Sequence, residues 1–156
     1  MSEITDHIER IRKHLHADYD GMLREPEGAL KYPYLTPGSK AYSAVLWDWD
    51  AWSANVALKQ IVHENDDADE IKRTLPYEQG CVLNYLHYGN WDGWFPGTIK
   101  AEKDIEAERP NRYDKNMRKP TLAQHAAFLT KYNGDDAEWI REGFFYIQSF
   151  LHNYRV

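Results

Sequence analysis

Apolar residues recur every three or four positions along most of this chain, and this spacing limits its fold more than any other feature. Near the N-terminus the repeated positions are Ile4, Ile8, Ile11 and Leu15. Near the C-terminus a broader set follows the same spacing: Trp139, Ile140, Phe144, Ile147, Phe150 and Leu151. Side chains three and four positions apart share one face of a helix, so both stretches predict amphipathic helices. No stretch shows the alternation of a half-buried strand, and we therefore predict an all-α fold.

Helix-start and helix-stop residues predict where the middle helices begin and end. A second helix is expected from Trp49 or Asp50 to about Glu64. The Asn-Asp-Asp run at residues 65–67 then predicts a turn and the N-cap of a third helix, because such side chains accept hydrogen bonds from unpaired backbone amides. Pro76 lacks a backbone N–H, so we expect this third helix to be broken or kinked there.

The last third of the chain predicts two helices joined by a tight turn. Pro120-Thr121 is typical of a helix start, and Asn133-Gly134 is typical of a helix end. Another helix is expected to begin at Asp135-Asp136, which would make an antiparallel helical hairpin with its predecessor. Segments 19–43 and 88–99 are rich in Gly, Pro and aromatic residues, so both are predicted to be irregular loops.

Composition and charge exclude several classes of protein. The 156 residues fit a single domain spanning 1–156, and 42% of them are hydrophobic, which suffices for a buried core. The net charge is −6 and no basic tract is longer than Arg12-Lys13, so nucleic acid is not an expected partner. No apolar run approaches the ~20 residues that cross a bilayer, so no membrane association is predicted. Cys81 is the only cysteine, which excludes internal disulfides and fits a cytoplasmic location.

One group of potential metal ligands occurs near the N-terminus. His14 and His16 are followed by Asp18 and Asp20. Alternate positions on a helix point to different faces, so this spacing does not gather the side chains around one ion. We predict no metal site and no cofactor.

The segment with the clearest chemistry is Trp47-Asp48-Trp49-Asp50-Ala51-Trp52, which places two carboxylates among three indoles. Glycoside hydrolysis needs a carboxyl group that protonates the leaving oxygen, and pyranose rings stack on flat apolar surfaces. Indoles around a carboxyl group also exclude water, which favours its protonated form. Asp48 and Asp50 are two positions apart, so on a helix they face different directions, and Asp48 is expected to support the loop. Core packing by the tryptophans and an N-cap role for Asp50 are the alternative interpretations.

Three motifs of the chain resemble glycoside hydrolase family 63 and the related mannosylglycerate hydrolases, members of the six-hairpin glycosidase group. The motifs are residues 33–52, the Gly-Trp-Phe-Pro run at 93–96, and residues 116–124. The first is the most specific, because the family places its general acid in a Trp-x-Trp-Asp-x-Trp context. The third resembles the Lys-Pro-Pro-x-Leu-Ala segment of the family. The resemblance implies helical hairpins forming part of an (α/α)6 toroid, and hydrolysis of an α-linked glucoside or mannoside with inversion.

The resemblance also assigns roles to individual residues. It gives the role of general acid to Asp50. The candidate sugar-binding residues are Tyr42, Trp47, Trp49, Trp52, Trp94, Lys119 and Gln124. Of these, the indoles at 47, 49 and 52 match aromatic positions around the cleaved sugar, and Lys119 and Gln124 are candidate hydroxyl contacts. A solvated helix start for Lys119, a surface position for Gln124 and simple loop packing by Trp94 are the alternatives.

The chain resembles only the first half of such a barrel. An inverting glycosidase holds two carboxyl groups roughly 6.5–9.5 Å apart, and in the family the base is a glutamate of the second half. Glu138 and Glu142 carry no feature that marks a base, so the base is expected from outside this chain. The apolar helix faces of a half barrel predict an interface, and hence a homo-oligomer or a complementary second chain. The alternative function is a non-catalytic helical carbohydrate-binding or protein-interaction module derived from a truncated glycosidase.

Overall fold

Five α-helices and four short strands make up the part of the chain that the structure, a computed structural model, describes: residues 3–38, 40–64, 66–106 and 119–153. The helices are α1 (Glu3–Asp18), α2 (Asp48–Glu64), α3 (Ala68–His87), α4 (Leu122–Tyr132) and α5 (Phe144–Asn153). The strands are β1 (Leu23–Arg24), β2 (Tyr34–Leu35), β3 (Val45–Trp47) and β4 (Thr98–Lys100). Short 3-10 helices span Tyr19–Met22, Lys40–Tyr42 and Glu138–Gly143. Within these ranges, no helix combines the length and the apolarity that crossing a bilayer requires.

Two small antiparallel sheets show that the all-α prediction is wrong. Strand β1 pairs with β2, with Leu23 opposite Leu35, and β3 pairs with β4, with Trp47 opposite Thr98. Each strand has only two or three residues, too few to show a period-two pattern in the sequence. The fold is mainly helical, and its sheets are built within and beside the segments that were predicted to be loops.

The predicted helix ends are confirmed where a local residue determines them. The carboxylate of Asp67 caps α3 by accepting hydrogen bonds from the amides of Asp69 and Glu70, 3.0 and 3.2 Å away. Helix α4 ends at Tyr132, and Gly134 follows it with a φ of +74°. Helix α3 continues through Pro76, so it is not broken there. The helix buries residues before and after the proline, so packing on both sides stabilises the continuous helix.

In the last third of the chain, the predicted tight turn from one α-helix directly into the next is wrong. After α4 the chain forms the 3-10 helix Glu138–Gly143 before α5 begins; α4 packs against α3, and the 3-10 helix contacts both α3 and α5. Gly143 permits the close approach, since a Cβ there would lie 2.5 Å from a methyl group of Leu86. The indole N–H of Trp139 donates to the hydroxyl of Thr130, 3.0 Å away, and links the 3-10 helix to α4.

Helix α3 also holds the segment that leads towards the aromatic block. A Cβ on Gly80 would lie 1.7 Å from the carbonyl oxygen of Pro33, so only glycine allows that backbone contact. One turn later, the Asn84 side chain accepts from the amides of Lys31 and Tyr32 and donates to the carbonyl of Tyr32. These bonds satisfy backbone groups of an irregular segment and fix its course across the helix.

Candidate functional site

The Trp47–Trp52 segment spans a junction between a strand and a helix. Trp47 ends β3 and Asp48 begins α2. Across the sheet, Trp47 lies opposite Thr98, which follows the loop that contains Trp94. The buried hydroxyl of Tyr85 donates to the carbonyl of Leu46 at 3.0 Å and lies 3.4 Å from that of Gly97. The second aromatic loop therefore ends beside the first residue of the block.

Asp48 joins the start of α2 to the third motif. Its side chain is buried, with 6% of its surface exposed. One carboxylate oxygen accepts from the amide of Trp49 at 2.7 Å, and the other accepts from the amide of Lys119 at 3.1 Å. This is a supporting contact, as the sequence predicted for Asp48. The part of the third motif before Lys119 lies outside the described residues.

Asp50 lies within the first turn of α2 and is half-buried. The helix begins two residues earlier, so the alternative in which Asp50 is its N-cap is wrong. The carboxylate makes no hydrogen bond or ion pair with any residue in the described ranges.

The exposed faces of the site belong to Tyr42 and Trp49, with 45% and 50% of their surfaces accessible. The ring of Tyr42 meets that of Trp47 edge to face, with centroids 6.4 Å apart. The ammonium group of Lys119 lies 4.7 Å from the centroid of the Trp49 ring, which is a cation–π contact. Trp47 and Trp52 are half-buried, and each has an indole N–H that is buried without a hydrogen-bond partner among the described residues.

Two of the candidate sugar-binding residues lie in other surroundings. Trp94 is half-buried against the hydrophobic core, and its amide donates to the Asp92 side chain at 2.9 Å. Gln124 is exposed near the start of α4. The structure thus joins Tyr42 to Trp47, and Lys119 to Trp49 and Asp48.

The sequence analysis missed a set of buried polar side chains further along α2. The ammonium group of Lys59 lies 2.7 Å from a carboxylate oxygen of Glu78, and neither side chain is accessible to solvent. The Thr74 hydroxyl donates to the other oxygen of Glu78 at 2.7 Å, and Asn55 contacts a ring nitrogen of His125 at 2.7 Å. The available signal was that Asn55 and Lys59 interrupt the apolar face of α2 at a spacing of one turn. The contacts of this group join α2 to α3 and α4.

Burial shifts the pKa of two groups near these sites. It raises the pKa of Tyr34 to about 12, where the hydroxyl donates to the carbonyl of Ser43 at 2.6 Å and holds the loop that carries Tyr42. It also lowers the pKa of His63, and the nearby positive charge of Lys59 lowers it further.

The histidines near the N-terminus have carboxylate partners. His14 pairs with Asp18 at 3.0 Å, and His16 pairs with Glu64 of α2. Across the described ranges, no three His, Cys, Asp or Glu side chains are grouped as metal ligands would be.

Comparison of this chain with protein-family models, with curated proteins and with solved structures finds no match in any of the three.

Proposed function

We propose that this chain binds an α-linked glucoside or mannoside at the surface around Trp47–Trp52, as a protein related to glycoside hydrolase family 63 and the mannosylglycerate hydrolases. One observation carries the proposal. The first and third motifs behind the resemblance are about 70 positions apart in the sequence, but they meet here, because the amide of Lys119 donates to the Asp48 carboxylate. The strand that follows the second motif also pairs with the first, since Thr98 lies opposite Trp47.

In this proposal the aromatic rings form the platform for the sugar. Tyr42 and Trp49 expose about half of their surfaces, so they offer apolar faces on which a pyranose ring stacks. The Lys119 ammonium at the Trp49 ring is positioned to donate hydrogen bonds to sugar hydroxyl groups. A neutral ligand is compatible with the net charge of −6, because it needs no electrostatic attraction.

Asp50 is the proposed proton donor. Its proton passes to the glycosidic oxygen as the bond from that oxygen to the anomeric carbon breaks, and the aglycone leaves as an alcohol. A water molecule attacks the opposite face of the anomeric carbon and gives a proton to the base, which inverts the configuration. Asp48 does not supply that base, because both of its oxygens accept backbone hydrogen bonds. The proposal therefore takes the base from outside this chain.

Sugar binding without hydrolysis is the second candidate function. The observation that favours it is the engagement of two other carboxylates considered above, Asp48 and Glu138. Asp48 supports the backbone, and Glu138 forms an ion pair with Arg141. A chain that kept the platform and Asp50 but has no base would still bind the sugar.

We also place the protein in the cytoplasm. Cys81 is fully buried as a free thiol in α3, and its sulfur accepts a hydrogen bond from the amide of Leu35 at 3.2 Å. A chain with one cysteine cannot form an internal disulfide, so an oxidising compartment would not stabilise its fold in that way.

The test of the proposal is a binding titration against a panel of α-glucosides and α-mannosides. We expect the wild type to bind at least one of them, and Trp49→Ala to weaken that binding about tenfold through loss of the stacking face. Trp91→Ala is the matched control, because Trp91 is also exposed but packs against Phe145 and Tyr146. Equal losses in both variants, or no binding to any sugar, would contradict the proposal.

A turnover assay separates the two candidates. If the wild type hydrolyses the bound sugar, we expect Asp50→Asn to abolish hydrolysis and to leave binding within about twofold, since the amide cannot donate a proton to the leaving oxygen. An unchanged rate in Asp50→Asn would overturn the assignment of the acid. Binding without turnover in the wild type would favour the second candidate.

A further inference from the structure

Helix α1 carries an apolar stripe that the rest of the described chain does not cover. Ile4, Ile8, Ile11 and Leu15 are between 46% and 72% exposed, and no residue of the helix is buried. Their successive spacings of four, three and four residues repeat every seven positions, which is the pattern of a helix that packs along its length against another helix. An isolated helix of this length is marginally stable in water without such packing.

The contacts of α1 with the body are polar and lie near its C-terminal end. Arg12 pairs with a carboxylate oxygen of Glu64 at 2.7 Å, and His16 pairs with the other oxygen of the same side chain. These bonds hold α1 beside the last turns of α2. They leave an open groove between its apolar stripe and the body.

A groove of about 530 Å³ separates α1 from the neighbouring helices. Ile8, Ile11 and Leu15 line one side, and Ile61 and Tyr132 lie among the residues of the other. A cavity of about 150 Å³ accommodates a benzene ring, so this groove has room for several aliphatic side chains. It is open to solvent and mainly apolar, and it therefore fits an amphipathic helix.

The charges of α1 identify the helix that fits beside it. The carboxylates Glu3, Asp6 and Glu9 lie towards the N-terminal end of α1, the cations Arg10, Arg12 and Lys13 follow them, and Asp18 ends the helix. The same helix in the opposite direction complements this order, because with Ile4 opposite Leu15 it places Asp6 opposite Lys13 and Glu9 opposite Arg10. A parallel pair would place like charges together.

We propose that α1 is a dimerisation helix, which packs antiparallel against α1 of a second copy of this chain, with its apolar side chains entering the partner groove. The contact is self-complementary, as a two-fold axis requires. In this arrangement position 4 of one helix lies opposite position 15 of the other, and position 8 lies opposite position 11. The proposal does not depend on the sugar site, since α1 contributes none of its residues.

The first test is the solution mass of the full chain, measured by light scattering over a range of concentrations. We expect a dimer in the wild type and a monomer in Ile8→Glu, because the new carboxylate would enter the apolar interface. Phe145→Glu is the matched control. Phe145 is 56% exposed and Ile8 is 54% exposed, but Phe145 belongs to the separate aromatic patch beside Trp91. Circular dichroism of Ile8→Glu should match the wild type, because no buried residue is altered.

The second test is cross-linking, which determines whether the two α1 helices pack parallel or antiparallel. In an antiparallel pair, residue 4 of one copy lies about 16 Å along the axis from residue 4 of the other, beyond the reach of a disulfide. We therefore expect Ile4→Cys alone to remain uncross-linked under mild oxidation, and an equal mixture of Ile4→Cys and Leu15→Cys chains to form a mixed disulfide dimer. The wild type is the control, since Cys81 is fully buried.

Several results would overturn the proposal. A wild type that is monomeric at every concentration would show that no second copy of this chain covers the stripe. Dissociation by Phe145→Glu, with Ile8→Glu still dimeric, would move the interface to the other patch. Efficient cross-linking of Ile4→Cys alone would show a parallel pair and refute the charge argument.

Discussion

Helix α2 carries two sets of polar groups with opposite environments. In the open set, at the first turn, Asp50 is half-buried and makes no hydrogen bond or ion pair within the described ranges. In the enclosed set, one to three turns later, Asn55 and Lys59 are fully buried, and each contacts a polar group of another helix. The enclosed set joins α2 to α3 and α4, whereas the Asp50 carboxylate joins no described element.

The enclosed set gives the largest expected effect on stability. Replacing Glu78 with Leu leaves the Lys59 ammonium buried without its counter-ion, and we expect the free energy of unfolding to fall by about 3–5 kcal/mol. The double variant Lys59→Met/Glu78→Leu should recover most of that loss, because a pair of apolar side chains needs no compensation. Urea denaturation of the single and double variants measures both values. Equal losses in the two would show that the pair is not coupled.

Replacing Asp48 should have an intermediate effect on the free energy of unfolding, since its carboxylate accepts hydrogen bonds from two backbone amides beside the open set. Asp48→Ala leaves the amides of Trp49 and Lys119 without this acceptor, and we expect a loss of about 1–3 kcal/mol in the same denaturation assay. The control is Asp48→Asn, which keeps one acceptor oxygen and should lose less. A change below about 0.5 kcal/mol in Asp48→Ala would mean that the contact with the third motif does not stabilise the fold.

Tyr34 gives a smaller effect that depends on pH. Its pKa is about 12 in the folded chain and 10.0 in a free side chain, so the unfolded chain loses this proton first as the pH rises. The contribution to stability is complete below pH 10 and falls above it, by about 1 kcal/mol at pH 11. The measurement is the difference in unfolding free energy between pH 9 and 11 for the wild type and Tyr34→Phe. The variant should lose less over this interval, and identical slopes would contradict the assignment.

The smallest expected effect on stability is that of replacing Asp50, the carboxylate of the open set. Asp50→Asn removes no hydrogen bond or ion pair within the described ranges, so the free energy of unfolding should stay within about 0.5 kcal/mol of the wild type. Thermal and urea denaturation both report this value. A loss comparable with that of Asp48→Ala would mean that Asp50 is a structural residue, and the contrast between the two sets would disappear.

The features that the sequence predicted correctly are those determined by neighbouring residues. The cap at Asp67 and the helix end before Gly134 depend on chemistry within one turn, so a local pattern identifies them. The apolar stripe of α1 also predicts its helix. The same stripe does not show whether the helix that packs on it belongs to this chain, and all four of its residues are exposed.

The features that the sequence analysis missed depend on residues far apart in the chain. Strand β3 is recognisable only beside β4, because three residues define a strand only when they have a partner. The sequence alone predicts a surface position for Lys59. Its burial depends on Glu78, whose carboxylate lies 2.7 Å from the ammonium group but 19 positions away in the chain. For the candidate site, the sequence identified Asp50 and the indoles, but the contacts of Trp49 with Lys119 and of Asp48 with its amide required the folded chain.

The most direct test of the central claim, a sugar site at the open end of α2, is the response of the indole N–H signals in an NMR titration. The chain has six tryptophans, and single Trp→Phe variants assign their signals. On addition of an α-glucoside or α-mannoside that binds, we expect the Trp49 signal to move most and those of Trp47 and Trp52 to follow. Trp91 and Trp139, which pack against other parts of the molecule, should stay unchanged. Shifts confined to Trp91 or Trp139, or no shift with any sugar of the panel, would contradict the account.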